Sequence, residues 1–249
     1  MSSRRRIVLL AAAGVLAALA GIVAQFPARV ALAWFAPPGI VAWGVEGSVW
    51  EGRAAGIVVR GHALGSLSWE AQPAGLLSLQ PAWKLYLRTP DDGFLAGRVA
   101  ISLLADRQRI NDLEGALELD ALPPALVPDG VAGQARIGLQ ALVLEAGWPV
   151  LVTGRASVAA LELPGVILAL GPFEFVFPEH DGTPVGAIRS LGGPLEVDGQ
   201  VELPAPGQWR FSAELAPGEN PPRELVDGLR FVGEDLGDGR RRLEMRSEP

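Results

Sequence analysis

The sequence predicts a mainly β protein: an N-terminal transmembrane helix followed by a curved antiparallel β-sheet domain (sandwich, roll or open groove) with few short helices. Three observations carry this. An uncharged apolar stretch follows directly on three arginines, a glycine-bearing heptapeptide with period-two alternation recurs along the chain, and the alternating segments are punctuated by Pro- and Gly-rich joints. The expected organisation is a cytoplasmic tail at 1–6, a transmembrane helix at 7–24, a juxtamembrane segment at 25–38 and a periplasmic β-rich domain at 39–249.

The stretch from Ile7 to Val23, IVLLAAAGVLAALAGIV, carries no charge; Ala24 extends it, and Gln25 and Pro27 end it. At 1.5 Å per residue it is near the lower limit for crossing a bilayer as a helix. Arg4, Arg5 and Arg6 precede it, and an excess of positive charge holds that end in the cytoplasm. The competing reading is a cleaved signal peptide with its site at Ala18-Leu19-Ala20. Retention is favoured because apolarity continues through Ile22 to Ala24, and both readings export the same domain. Beyond Pro27, Val30, Trp34 and Phe35 fall at helical spacing in ARVALAWFA. Such a helix either lies at the membrane interface with Trp34 at headgroup depth or packs on its own domain.

The recurring heptapeptide reads apolar-x-Gly-x-apolar-x-apolar. It occurs from Leu95 to Ile101, Leu113 to Leu119, Val131 to Ile137, Val152 to Val158 and Val197 to Leu203, with a partial copy from Val45 through Gly47 to Val49. Glycines 97, 115, 133 and 154 are 18, 18 and 21 residues apart, which suggests two short strands and two turns per unit. Period two places Leu113, Gly115, Leu117 and Leu119 on one face and Glu114, Ala116, Glu118 and Asp120 on the other. Clean alternation favours antiparallel pairing. The glycine always falls on the apolar face, where a missing side chain permits close backbone approach or sharp bending.

Further strands are expected at Arg53 to Arg60, Leu64 to Glu70, Ala82 to Arg88, Phe173 to Phe177 and Gln208 to Leu215. Leu122-Pro123-Pro124 through Pro128 and Pro217 to Pro222 read as joints beside single helical turns, and Arg223 to Leu229 as a short helix. A closing hairpin is expected from Leu229 to Val232 and from Arg241 to Met245 around Gly237-Asp238-Gly239. There is too little helical sequence to cover a one-faced sheet. Its apolar side must curl onto itself, meet a partner or be covered by acyl chains.

Composition excludes several classes of function. A net charge of −7, with three arginines already spent on the tail, disfavours nucleic acid as a partner. Cysteine is absent, so there are no disulfides or thiolate metal sites. The sequence contains no G-x-S-x-G, H-E-x-x-H, G-x-G-x-x-G or P-loop, and no catalytic, cofactor or metal residues are expected. Glu179-His180-Asp181 could ligate a metal, but it follows FEFVF and precedes Gly182, which reads as a solvated turn. Trp43, Trp50, Trp69 and Trp83 crowd the start of the domain. Exposed in a row they would suit a glycan or a membrane; within alternating strands they read as structural.

The order of motifs resembles the N component of the bacterial type II secretion system. The resemblance lies in the proline-bounded entry after the span, Gly44-Val-Glu-Gly-Ser-Val-Trp-Glu-Gly-Arg-Ala54, Leu64-Gly-Ser-Leu-Ser-Trp69, Gly192-Gly-Pro-Leu-Glu-Val-Asp-Gly199 and the terminal segment Leu229 to Leu243 with Asp238-Gly-Arg240. Gly47, Trp50, Gly52, Arg53, Trp69, Gly192, Gly193, Gly199 and Gly239 are the matching positions, with structural roles expected. Departures are Ser48, where threonine is frequent, and the long apolar middle from Val143 to Phe177. The resemblance implies a non-enzymatic, single-pass protein of the bacterial inner membrane that partners other secretion components and supports export of folded proteins from the periplasm. The repeats also look like those of the envelope proteins related to AsmA. That likeness implies an alternative: a hydrophobic β groove that binds or moves lipid.

Overall fold

The computed structural model describes residues 25–247 apart from 37, 103, 123–126, 128, 165–168 and 181, and in addition Gly14 and Gly21. Helix α1 (Ala28–Phe35) leads into strands β1 (Ile40–Trp43), β2 (Glu46–Gly47), β3 (Glu51–Val59), β4 (His62–Gln72), β5 (Ala82–Arg88), β6 (Phe94–Ile101), β7 (Arg107–Glu118), β8 (Ala132–Glu145) and β9 (Trp148–Glu162). There follow β10 (Phe173–Phe177), β11 (Val185–Ser190), β12 (Leu195–Ala205), β13 (Gln208–Pro217), helix α2 (Arg223–Leu229), β14 (Glu234–Gly237) and β15 (Arg240–Arg246).

All fifteen strands belong to one antiparallel sheet in almost sequential order. Only the ends depart from that order: β2 and β1 share the outer edge of β3, and β15 rather than β14 lies beside β13. The sheet is open, with β1 and β14 as its two edges. Of the arrangements the sequence leaves open, a two-sheet sandwich is therefore not formed. Between β3 and β13 neighbours in sequence are neighbours in space, so most pairings close short connections at small entropic cost.

The alternation has a simple consequence across the sheet. One transverse row runs Ala54, Leu67, Leu87, Leu95, Gly115, Ile137, Ala156, Phe175, Ile188, Gly199, Ala213, Leu243, each paired with the next. Every member is apolar or glycine. The next row along the strands contains Arg53, Ser68, Tyr86, Glu114, Arg155, Gln200, Ser212 and Glu244 and faces the other way. The outer face also carries cross-strand ion pairs, Arg98 with Asp112 and Arg107 with Glu145. These are exposed and individually add little stability.

Two sequence expectations need correction. The 18-residue repeat is one strand and its connection rather than two strands, because β7, β8 and β9 run for 12, 14 and 15 residues. The last hairpin begins at Glu234, not Leu229. Leu229 closes α2, and the stretch after it is turned about the Arg241 guanidinium, which donates to the carbonyls of Arg230, Val232 and Gly233 at 2.7, 2.9 and 3.3 Å. The turn itself lies at Asp238-Gly239, both with positive φ, as a two-residue hairpin loop requires.

The core is uneven. A main cluster joins Leu170, Phe173, Ile188, Leu195, Val197, Ala213, Leu215 and Leu229, bringing α2 onto the apolar face of the C-terminal strands. A smaller one contains Leu117, Leu119 and Ala135. At the other end of the sheet, Val41 and Trp43 are 60% and 50% exposed. Among the described residues no helix is long and apolar enough to cross a membrane. The expected tail and the span Ile7–Ala24 lie outside the described residues, Gly14 and Gly21 excepted.

Candidate functional site

The matching positions near the N-terminus come together in one knot. Ser48 turns the chain between β2 and β3, and its Oγ accepts the N–H of Trp50 at 3.2 Å and of Glu51 at 3.3 Å. Two indoles then fix the same turn from the neighbouring strands: Trp69 Nε1 donates to the Ser48 carbonyl and Trp83 Nε1 to the Val49 carbonyl, both at 3.0 Å. Trp50 is held by its carbonyl, which accepts Ala71 N–H at 2.5 Å. Gly47 and Gly52 face each other across the hairpin, and a Cβ on Gly47 would collide with the Glu51 carbonyl. Arg53 pairs with Glu46 at 2.6 Å in the open.

The knot also holds the segment that enters the domain. Val49 N–H donates to the Phe26 carbonyl at 3.0 Å, and Pro27 forms a β-bridge with Ser48. Helix α1 starts there with Ala28 buried, while Trp34 is 70% exposed with its ring 6.0 Å from that of Phe26. The helix root thus packs on the domain, as one reading of this segment expects, and Trp34 is exposed.

The remaining positions lie at the other half of the sheet. Gly192 and Gly193 form the β11–β12 connection, where a side chain on Gly193 would strike the Gly171 carbonyl. The Gly193 carbonyl accepts Glu219 N–H at 3.0 Å, which joins that corner to the loop before α2. Gly199 sits in the apolar row, 2.5 Å from Ala213 Cβ had it a side-chain carbon of its own. Gly239 lies in the exposed β14–β15 turn. Beside it, the Arg240 guanidinium is raised above its ordinary pKa, first by its hydrogen bond to Asp238 and then by attraction to Asp238 and Glu214.

Between α2 and the sheet is a cleft of about 870 Å³ lined by Leu163, Phe175, Phe211, Leu225, Val232 and other apolar side chains, with Glu224 its single charged member. The motif positions gave no sign of it. Its signals in sequence were the strand FEFVF and the LVDGL of α2, which predict only a strand and a short helix. Glu179 and His180 are exposed and belong to no group that could hold a metal among the described residues.

The chain is similar to proteins already characterised by name. It is 27% identical over 241 residues to the type II secretion system protein N of Aeromonas hydrophila, covering 94% of this chain and 95% of that one. With the protein of the same name from Vibrio cholerae serotype O1 it shares 24% over 233 residues, 89% and 90% of the two chains. No solved structure matches. The family of type II secretion system protein N is matched over residues 38–244, from the β1 edge almost to the end of β15, and the chain belongs to that family.

Proposed function

We propose that the protein is a non-enzymatic accessory component of the inner membrane, one that supports release of folded proteins from the periplasm by a type II secretion system. In this reading residues 1–6 are cytoplasmic, 7–24 span the bilayer once, 25–38 form the juxtamembrane segment and 39–249 the periplasmic domain. The observation that supports it best is the backbone bond between Val49 and Phe26. In this reading the bond ties the sheet to the residues that follow the apolar stretch and so keeps the domain near the membrane. Other secretion subunits are the expected partners, meeting the short edge strands β1 and β14 or the polar outer face. Deleting the gene in its host should leave folded exoproteins trapped in the periplasm, and affinity capture of the full chain should retrieve secretion subunits. Undiminished release from the deletion strain overturns the reading.

The apolar row favours a second reading, a lipid-handling groove. Twelve consecutive apolar or glycine positions with little helical cover are costly to leave in water, and acyl chains would cover them without asking for hydrogen bonds. Gently extracted full-length protein should then carry phospholipid visible by mass spectrometry. Protein free of lipid after such extraction removes this reading while leaving the secretion role untouched.

A further inference from the structure

We propose that the cleft beneath α2 is a binding site for a single alkyl chain, the distal end of a track that starts at the membrane-proximal edge of the sheet. This rests on the lipid-handling reading and assigns its specific seat.

The cleft's size lies within the range of small-molecule sites. Its chemistry selects the occupant. The floor is sheet whose strands, β10 to β13, are hydrogen-bonded to neighbours on both sides, so no backbone donor or acceptor is offered to a guest. The walls are Leu163, Phe175, Phe211, Leu225 and Val232, and Glu224 alone is charged. An extended peptide would bury amide groups there without partners, and a sugar or nucleotide would bury hydroxyls or phosphates. An alkyl chain has nothing to satisfy.

The source of such a chain follows from where the described structure begins. Residue 25 directly follows the uncharged stretch Ile7–Ala24, and the knot fixes that entry beside β2 and β3, one edge of the sheet. From this edge the apolar row leads, at strand spacings of about 4.8 Å, roughly 50 Å to the strands under α2 without a polar member. The far end of the row is roofed by Leu225 and Leu229 of α2. A chain entering from a bilayer would meet apolar surface along the row and be enclosed at the cleft.

The test uses the full-length protein in cell membranes, with the photoreactive residue p-benzoylphenylalanine in place of Leu225, Val232, Leu67 of the apolar row or, on the opposite face, Tyr86. Two positions in the cleft guard against one of them misfolding, and each variant is checked by far-UV circular dichroism. After irradiation, mass spectrometry should find alkyl adducts at 225 and 232 and none at 86. A phospholipid mass identifies a membrane lipid as donor, and a fatty-acid mass a free acid; either supports the site. Adducts at 67 without any at 225 or 232 overturn the cleft and leave the open groove standing. A peptide adduct at 225 overturns the alkyl assignment, and no lipid adduct at any position overturns site and groove together.

Discussion

The ring of Trp69 occupies the space that a side chain on Gly52 would need: an added Cβ would lie 2.5 Å from Cζ2, while Nε1 of the same ring donates to the Ser48 carbonyl at 3.0 Å. Two residues of the motif are therefore one packing unit, and neither can change alone. Gly52→Ala should destabilise the domain by about 1–3 kcal/mol, since the indole must give up its place and its hydrogen bond to accept a methyl group. Urea unfolding followed by tryptophan fluorescence measures it; an unchanged midpoint contradicts the contact.

The two indoles act on adjacent carbonyls, Ser48 for Trp69 and Val49 for Trp83. Trp69→Phe and Trp83→Phe should each cost about 1–2 kcal/mol from a part-buried carbonyl left without its donor. Because one turn receives both bonds, the double variant should cost less than the two single losses added together, as expected of residues sharing a network. Strict additivity in the double-mutant cycle would mean that the turn is held elsewhere.

Arg53 makes the opposite prediction although it stands next to Gly52. Its side chain and that of Glu46 are 72% and 64% exposed, so the ion pair between them is solvated and screened. Arg53→Gln should change stability by less than about 1 kcal/mol. If the same variant nonetheless blocks exoprotein release, Arg53 serves a partner rather than the fold; a large stability loss shows that the pair is structural.

How much of this could be read from the chain follows from the range of each interaction. Period-two alternation is local, and so the face assignments hold from Leu113 to Glu118, with Gly115 and Leu117 buried; the strand ends there, and Leu119 and Asp120 belong to a 3-10 turn instead. The strand Phe173–Phe177 and the helix Arg223–Leu229 fall where Pro and Gly boundaries place them. Long-range choices were less legible. The Arg241 side chain reaches back to the carbonyls of Arg230, Val232 and Gly233, and this moved the start of the last hairpin; no pattern around Leu229 announces it. Trp69 and Trp83 were legible as structural, but not as donors to one turn lying 21 and 34 residues earlier in the chain. The cleft depends on where α2 settles across the sheet, which the amphipathic spacing of LVDGL leaves open.

Gly193 and Gly239 separate two reasons for a glycine. Both have positive φ, +99 and +84. An alanine at either pays for that backbone geometry, about 1–2 kcal/mol. Around Gly239 nothing lies within 4 Å of an added Cβ, so the backbone cost is all there is, and asparagine, which tolerates this region in hairpin turns, should largely restore stability. At Gly193 the same Cβ would collide with the Gly171 carbonyl, and the Gly193 carbonyl is itself engaged by Glu219 N–H. Gly193→Ala should therefore lose a further 1–3 kcal/mol or so, and Gly193→Asn should recover none of it. Thermal unfolding of Gly193→Ala, Gly239→Ala and the two asparagine variants checks the pattern. Equal losses at the two sites would mean that the Gly171–Gly193 approach is relieved in solution, and that the corner linking β11, β12 and the loop before α2 is looser than its hydrogen bonds imply.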